Sequence, residues 1–155
     1  MRNYPGLTDA QRKTIAEGLS RVLADTYTLY FKTHAFHWNV EGPRFFGLHN
    51  MFEQQYRELW ASIDVIAERI RALGHRAPSS YGAIAKLASI KDQDGAIPAE
   101  AMIKELTEGH EAVMVTIRTV LGAAQEAKDE ATAGVLAARL EAHEKTAWML
   151  STLAS

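Results

Sequence analysis

Cysteine is absent from this sequence, and its absence excludes disulfide bridges, thiolate zinc sites and iron–sulfur clusters together. Long apolar runs are absent too, since no stretch approaches the roughly 20 apolar residues that a membrane-spanning helix needs. Residues Met1–Gly6 carry one arginine and no apolar run, which is unlike a secretory signal. We therefore predict a cytoplasmic protein without a membrane partner.

Concentrated positive charge is also missing from the chain. The net charge is −2, and the 17 basic residues are spread along the sequence. Neither end forms a basic arm, because Met1–Thr8 contains only Arg2 and Ser151–Ser155 contains no charge. Binding to nucleic acid usually requires a clustered positive surface. Composition therefore gives no support for direct DNA binding.

The overall composition is that of one ordinary globular domain. The 155 residues are 47% hydrophobic and 23% charged, a balance typical of folded proteins. A chain of this length can bury a sizeable core. We expect a single domain over residues 1–155.

Apolar residues recur every three or four positions along four long segments, which predicts four amphipathic helices. The first follows Thr8-Asp9-Ala10-Gln11, a capping box with Thr8 as the N-cap, and stops before Glu41-Gly42-Pro43. The second runs from about Phe45 to Leu73, its apolar stripe begins at Phe45, and Gly74 ends it.

The third helix spans roughly Ala99–Ala124, and the fourth follows Asp129 as its N-cap. Between the second and third helices lies a long connection, in which Tyr81–Ser89 is predicted as a short helix. A crossover of this length favours ferritin-like connectivity over an up-down bundle with short loops. The predicted fold class is all-α, a ferritin-like four-helix bundle with a short helix in the long crossover. Periodicity alone leaves an unspecialised helical bundle open.

Four residues of the second helix have side chains that can bind a metal: His49, Glu53, Asp64 and Glu68. On a helical wheel they fall within about 100° of one another, on a face turned away from the apolar stripe. This placement indicates that they do not serve the core of their own subunit.

The same four positions are symmetric along the helix. Glu53 and Asp64 are about 16 Å apart, too far for one ion to bind both. However, the pair His49 and Glu68 and the pair Glu53 and Asp64 share one midpoint, between residues 58 and 59. Two antiparallel copies crossing at that midpoint would place His49 and Glu53 of one copy opposite Glu68 and Asp64 of the other. Such a two-fold contact creates two equivalent sites.

Imidazoles and carboxylates without a thiolate suit divalent iron. A second imidazole is expected from His37, which lies four residues after Thr33 on the inward stripe of the first helix. Trp60 lies off the core stripe of the second helix, and burial in a subunit contact would explain it. The plainer alternative is that these are solvated charges and ordinary structural histidines.

Two runs of sequence resemble the signature of the Dps family: HAFHWNVEGPRFFGLHNMFE, from His34 to Glu53, and DVIAERIRALG, from Asp64 to Gly74. The resemblance implies a homo-oligomer, a dodecameric shell built from two-fold dimers. It also implies a set of ferroxidase and metal ligands shared by two subunits. One subunit supplies His37, His49 and Glu53, and its partner supplies Asp64 and Glu68.

The activity implied by the resemblance is that of a ferroxidase. The protein would oxidise Fe(II), preferably with hydrogen peroxide, store ferric oxyhydroxide and thereby protect DNA. Iron is its substrate, and no organic cofactor is expected. In such a protein Asp129 and Glu130 fit the pore through which iron enters, but Gly134 stands where an acid is often found, so other residues such as Glu126 are the alternative. Trp38 and Trp60 are interpreted as packing residues, with uptake of stray oxidising equivalents as the alternative, and His34 is not expected to be a ligand.

Two other functions stay open at this point. One is a nucleoid-associated protein that compacts DNA and holds a metal that turns over slowly, against which the missing basic tail argues. The other is a helical bundle that binds zinc or manganese at the same ligands without turnover. The residue types do not separate metals of similar preference.

Overall fold

The computed structural model describes residues 2–154 and contains five helices. They are α1 (Asp9–Asn39), α2 (Phe45–Ala72), α3 (Tyr81–Leu87), α4 (Ala99–Glu126) and α5 (Glu130–Leu153). These described residues include no strand. The all-α class, the four long helices and the short helix in the crossover are confirmed. Met1 and Ser155, the ends of the predicted domain 1–155, lie outside the described residues.

The helix ends follow the local signals in the sequence. The hydroxyl of Thr8 accepts a hydrogen bond from the Gln11 amide at 3.1 Å, and the Gln11 side chain accepts one from the Thr8 amide at 2.9 Å, which confirms the capping box. α2 stops at Ala72 because Gly74 adopts a φ of +90°, a conformation that glycine tolerates. Asp129 caps α5 by accepting the Thr132 amide at 3.1 Å.

The bundle consists of two helical hairpins, α1–α2 and α4–α5, with α1 also packed against α4. Its core is formed by buried apolar side chains from all four long helices, among them Leu19, Phe36, Phe52, Ile66, Leu106, Ile117 and Leu136. Two glycines bring α1 and α4 close together. A Cβ on Gly18 would lie 2.7 Å from Val120, and a Cβ on Gly109 would lie 2.7 Å from Leu29.

Three arginines bridge the line where α2 meets α5, which we call the α2–α5 seam. Arg69 pairs with Asp129 at 3.0 Å. The Arg139 guanidinium donates two hydrogen bonds to the Glu58 carboxylate in a bidentate arrangement, and the one from Nη2 measures 2.9 Å. Arg44 donates to the Leu153 carbonyl at 3.3 Å. Arginine side chains therefore connect the two hairpins at three levels of this seam, twice to a carboxylate and once to a backbone carbonyl.

A buried carboxylate anchors the crossover. Asp25 on α1 accepts hydrogen bonds from the amide and the hydroxyl of Ser89, at 2.6 and 2.8 Å, and from the hydroxyl of Thr116 at 2.7 Å. The end of the crossover helix is thus tied to both α1 and α4.

One element of the predicted core is wrong. Phe45 begins the predicted apolar stripe of α2, but its side chain is 43% exposed. The reason is its position as the first residue of α2, at the end of the packed face rather than within it. Its ring instead packs on His49, with the centroids 5.0 Å apart. Within residues 2–154, no helix has the length and apolarity of a membrane span.

Candidate metal centre

Two histidines face each other where α1 and α2 meet. His37 lies in the last turn of α1 and is only 7% exposed, whereas His49 lies near the start of α2 and is half-buried. The short connection through Gly42 folds α2 back on α1, so the two rings stack with centroids 3.8 Å apart and planes 16° from parallel. The antiparallel hairpin thus brings together two imidazoles that are twelve residues apart in sequence.

Each of these histidines is held by the backbone of the other. His37 Nδ1 lies 2.7 Å from the His49 carbonyl oxygen, and His49 Nδ1 lies 2.7 Å from the His37 carbonyl oxygen. A carbonyl oxygen only accepts hydrogen bonds, so both Nδ1 atoms must carry the hydrogen. In the neutral rings both Nε2 atoms therefore keep a free lone pair. Donation from one ring nitrogen to a carbonyl is the usual way in which proteins orient a metal-binding histidine.

Glu53 completes the group within one chain. One carboxylate oxygen lies 3.9 Å from His37 Nε2, and the other accepts a hydrogen bond of 3.3 Å from Arg57 Nε. The Glu53 side chain is 41% exposed, so solvent reaches this corner of the group. The structure thus brings three of the five predicted site residues together.

The other two predicted residues, Asp64 and Glu68, lie further along α2 and are exposed. Eleven residues of helix separate Asp64 from Glu53, a rise of about 16 Å. Trp60 lies between the two groups on the helix and is 59% exposed. Within the described part of one chain, no three His, Cys, Asp or Glu side chains converge closely enough to hold a metal ion by themselves.

Aromatic side chains surround the histidine pair. His34 stacks on Tyr56, with centroids 3.9 Å apart, and its Nδ1 lies 2.9 Å from the Tyr30 hydroxyl. Burial lowers the pKa of His34, and the neighbouring His37 and Arg57 lower it further while Glu53 opposes them. Burial also raises the pKa of Tyr30, with a smaller contribution from Tyr56.

Sequence analysis missed both tyrosines. The available signal was helical spacing, because Tyr30 precedes His34 by four residues and Tyr56 follows Glu53 by three. These spacings place Tyr30 on the same face of α1 as His34, and Tyr56 on the same face of α2 as Glu53.

A second histidine pair, also missed, lies in the bundle core. His110 on α4 and His143 on α5 are fully buried, and their Nδ1 atoms are 2.8 Å apart. Burial is the main cause that lowers the pKa of His110 to about 3 and that of His143 to about 2. Arg139 Nη2 lies 3.4 Å from His143 Nε2, and its positive charge disfavours the protonated form of His143. Both histidines continue the apolar stripes of their helices, which could have placed them in the core.

The pore role implied for Asp129 does not fit its position. Asp129 is buried, its carboxylate is paired with Arg69, and it also caps α5. The Asp129 carboxylate is thus occupied by contacts within its own subunit. Glu130, the next residue, is exposed.

Comparisons with known proteins agree with this architecture. The model of the ferritin-like domain matches residues 16–155. An uncharacterized low temperature-induced protein of Nostoc is 40% identical over 94% of this chain and 82% of its own length. The DNA protection during starvation protein of Porphyromonas gingivalis is 35% identical over 97% of this chain and 94% of its own length.

Solved structures give the same result. The Dps protein from Bacillus brevis superposes with a TM-score of 0.92 at 35% identity, covering 96% of this chain and 100% of that one. The Dps protein from Vibrio cholerae O1, described as a ferritin-like diiron-carboxylate protein, has a TM-score of 0.92 at 30% identity and covers 99% of this chain and 100% of its own. Family model, relatives and structures therefore agree that the chain belongs to the Dps family of ferritin-like proteins.

Proposed function

We propose that this protein is a ferroxidase that oxidises Fe(II), preferably with hydrogen peroxide, at sites shared by two copies of the chain. It stores the product as ferric oxyhydroxide inside a dodecameric shell and so protects DNA from oxidative damage. The observation that supports this most directly is the pair of hydrogen bonds in which His37 and His49 each donate from Nδ1 to the backbone carbonyl of the other. It orients both imidazoles with the hydrogen on Nδ1, which leaves Nε2 of each neutral ring available to a metal next to the Glu53 carboxylate.

The chemistry of the ligands fits iron. Imidazole nitrogens bind Fe(II), and carboxylate oxygens suit the harder Fe(III) that oxidation produces. One chain brings a single carboxylate to the histidine pair, so Asp64 and Glu68 of a second copy would supply the others. The exposed Trp60 on the same face of α2 supports a protein contact there, because large aromatic side chains are enriched in such contacts.

The proposed reaction accounts for protection without direct DNA binding. Two Fe(II) ions each lose one electron, and hydrogen peroxide takes up both electrons and two protons to form two water molecules. No hydroxyl radical is released when the two electrons arrive together. Several relatives are named for DNA protection during starvation, and removal of iron and peroxide would serve that role.

Anaerobic loading with Fe(II), followed by hydrogen peroxide in limiting amounts, tests the proposal. We expect ferric absorbance to rise with two Fe(II) consumed per peroxide, and particle mass to increase as mineral accumulates. His49→Ala should abolish rapid oxidation, whereas His75→Ala, in the loop after α2, should retain it. Binding of zinc or manganese with no Fe(II) oxidation would instead identify a metal-binding bundle without turnover.

A further inference from the structure

A row of polar side chains crosses the interior of the bundle beneath the α2–α5 seam. It starts at Glu58 on α2, whose carboxylate accepts two hydrogen bonds from the Arg139 guanidinium on α5. It continues through His143 on α5 to His110 on α4. The arginine and both histidines are buried, whereas the Glu58 side chain is 48% exposed. The proposed metal centre uses none of these four residues.

The guanidinium of Arg139 lies between two atoms of the kinds that bind metals. Arg139 Nη2 donates a hydrogen bond of 2.9 Å to Glu58 Oε1 and lies 3.4 Å from His143 Nε2. Because arginine only donates, the lone pair of His143 Nε2 points towards the guanidinium. A carboxylate oxygen and an imidazole lone pair thus face one positive group from two helices, as they would face a divalent ion such as Zn(II) or Co(II).

His110 orients His143 in the way that proteins orient a metal-binding imidazole. With Nε2 facing Arg139, the hydrogen of the neutral His143 ring is on Nδ1 and points at His110 Nδ1, 2.8 Å away. Such a hydrogen bond from the second ring nitrogen fixes the direction of the first. Burial is the main cause that lowers the pKa of both histidines, so both rings are neutral near pH 7. The neutral ring is the form that binds a metal.

Gln55 adds an unused oxygen beside this position. It lies one turn before Glu58 on α2 and is only 8% exposed, and within residues 2–154 neither its amide nitrogen nor its amide oxygen has a hydrogen-bond partner. Buried polar groups are normally paired. The half-exposed Glu58 side chain can also move to the distance of about 2 Å at which such ions are bound. The surroundings of the guanidinium therefore offer more ligand atoms than the guanidinium uses.

We infer that Arg139 is a specificity residue that keeps divalent metal ions out of the α2–α5 seam, because its guanidinium occupies the place between Glu58 and His143 where such an ion would bind. The guanidinium stays charged over the whole accessible pH range, so it repels an entering cation. Its N–H groups also occupy both ligand atoms. The inference goes beyond the proposed function and holds for metals that are not oxidised. Where that function operates, exclusion from the seam leaves iron for the shared sites.

The competing interpretation is that Arg139 only joins α2 to α5. Loss of a purely structural ion pair lowers stability, and added metal does not restore it. Loss of a residue that excludes ions uncovers a site made of Glu58 and His143, and an ion that binds the folded chain there stabilises it. Arg139→Lys keeps the positive charge without the bidentate geometry, so it should exclude metals as the natural residue does.

Binding of Co(II) tests the inference, in a His49→Ala background that removes the proposed shared sites. Equilibrium dialysis of the assembled protein counts the bound ions, and visible absorbance reports their coordination. Relative to the parent, we expect one additional Co(II) per chain in Arg139→Ala and none in Arg139→Lys. Arg118→Ala is the matched control, because it breaks an arginine–carboxylate pair of 3.2 Å with Glu144 that has no imidazole in it, and it should bind no additional ion.

Further variants locate the additional ion. Adding Glu58→Gln or His143→Leu to Arg139→Ala should abolish its binding, and Co(II) should raise the unfolding temperature of Arg139→Ala but not that of Arg139→Lys. Arg139→Met keeps the apolar stem without the charge and serves as a second test should the alanine variant not fold. A folded Arg139→Met that takes up no additional Co(II) overturns the inference, as does an additional ion that remains without Glu58 and His143. Either result leaves the proposed function standing.

Discussion

At the scale of single residues, hydrogen-bond directions fix the protonation of the buried pair His110 and His143. Arg139 can only donate, so His143 Nε2 accepts from it and His143 carries its hydrogen on Nδ1. That hydrogen points at His110 Nδ1, which therefore accepts. His110 is left with a hydrogen on Nε2, a buried atom without a hydrogen-bond partner among the described residues. Both rings are neutral, and neither has room for a second proton.

This pair predicts that stability falls as the solution becomes acidic. Burial holds the pKa of His110 at about 3 and that of His143 at about 2, below the value of about 6.5 for an unfolded histidine. Below about pH 6.5 the two histidines therefore bind protons in the unfolded chain but stay neutral in the folded chain. Between pH 7 and pH 5 the free energy of unfolding should drop by about 4 kcal/mol for the two residues. Urea unfolding at a series of pH values measures this.

Replacing the pair removes the effect. In a His110→Leu, His143→Leu double variant, the free energy of unfolding should vary much less between pH 7 and pH 5. Replacing both partners together also avoids leaving a buried polar group alone. His75→Gln, outside the bundle, should keep the full dependence. An unchanged slope in the double variant would show that other groups cause the acid sensitivity.

The proposed metal ligands show which residue-level features a sequence can reveal. Helical spacing placed His49, Glu53, Asp64 and Glu68 on one face of α2, because side-chain direction on a helix depends only on residue number. The two hydrogen bonds between the rings and backbone carbonyls of His37 and His49 were not predictable in this way. They depend on where two carbonyl groups point after α1 and α2 have packed, and no local pattern in the sequence encodes that.

At the scale of the elements, the glycines between α1 and α4 lead to a second prediction. Alanine normally stabilises a helix relative to glycine by about 1 kcal/mol. At Gly18 the added Cβ would lie 2.7 Å from Val120, so we expect Gly18→Ala to lower the free energy of unfolding by about 1–3 kcal/mol. Gly122→Ala, on the exposed side of α4 with no atom within 4 Å, should raise it by about 0.5–1 kcal/mol.

Chemical denaturation of the two variants beside the natural chain decides this point. Equal stabilisation by both substitutions would mean that α4 moves away from α1 without loss of packing. Loss of stability in both would mean that helix propensity does not control the effect of a substitution at Gly122.

Local signals at the helix ends explain why the elements could be predicted so well. The capping box at Thr8, the glycine after α2 and the cap at Asp129 act through neighbouring residues, and all three lie where expected. Phe45 was placed incorrectly because burial at a helix end depends on which other helices reach that level. Periodicity describes a face of one helix and contains no information about its neighbours.

At the scale of the whole molecule, the proposed shared site predicts complementation between two inactive variants. Chains with His49→Ala and chains with Glu68→Ala should each assemble into inactive particles. When the two are dissociated, mixed and reassembled, half-and-half dimers should contain one site with both defects and one with none. The rate of Fe(II) oxidation should then rise in proportion to the fraction of mixed dimers. Native mass spectrometry measures that fraction. Mixed particles no more active than either parent would contradict the shared site.

Direct binding to DNA is expected to be weak. The net charge is −2 and the 17 basic residues are spread along the sequence, so few counterions would be released from DNA on contact. A gel-shift titration with plasmid DNA at about 150 mM salt should show little retention. Adding a lysine-rich N-terminal tail to the same chain provides a positive control. Tight retention of the unmodified protein would favour the DNA-compacting alternative.

The α2–α5 seam has a consequence for how the chain reaches its final form. Contacts within each helical hairpin join helices that follow each other in the chain, whereas the seam joins residues 60 to 109 positions apart across the crossover. Local contacts form quickly and distant ones slowly, so seam closure belongs to the last steps of folding. Until then the apolar face of α1–α2 is exposed, and it can pack against α4–α5 of the same chain or of another copy. The crossover is therefore a hinge at which two newly made chains can exchange hairpins, and crowded synthesis should yield interlocked pairs that dilution cannot separate.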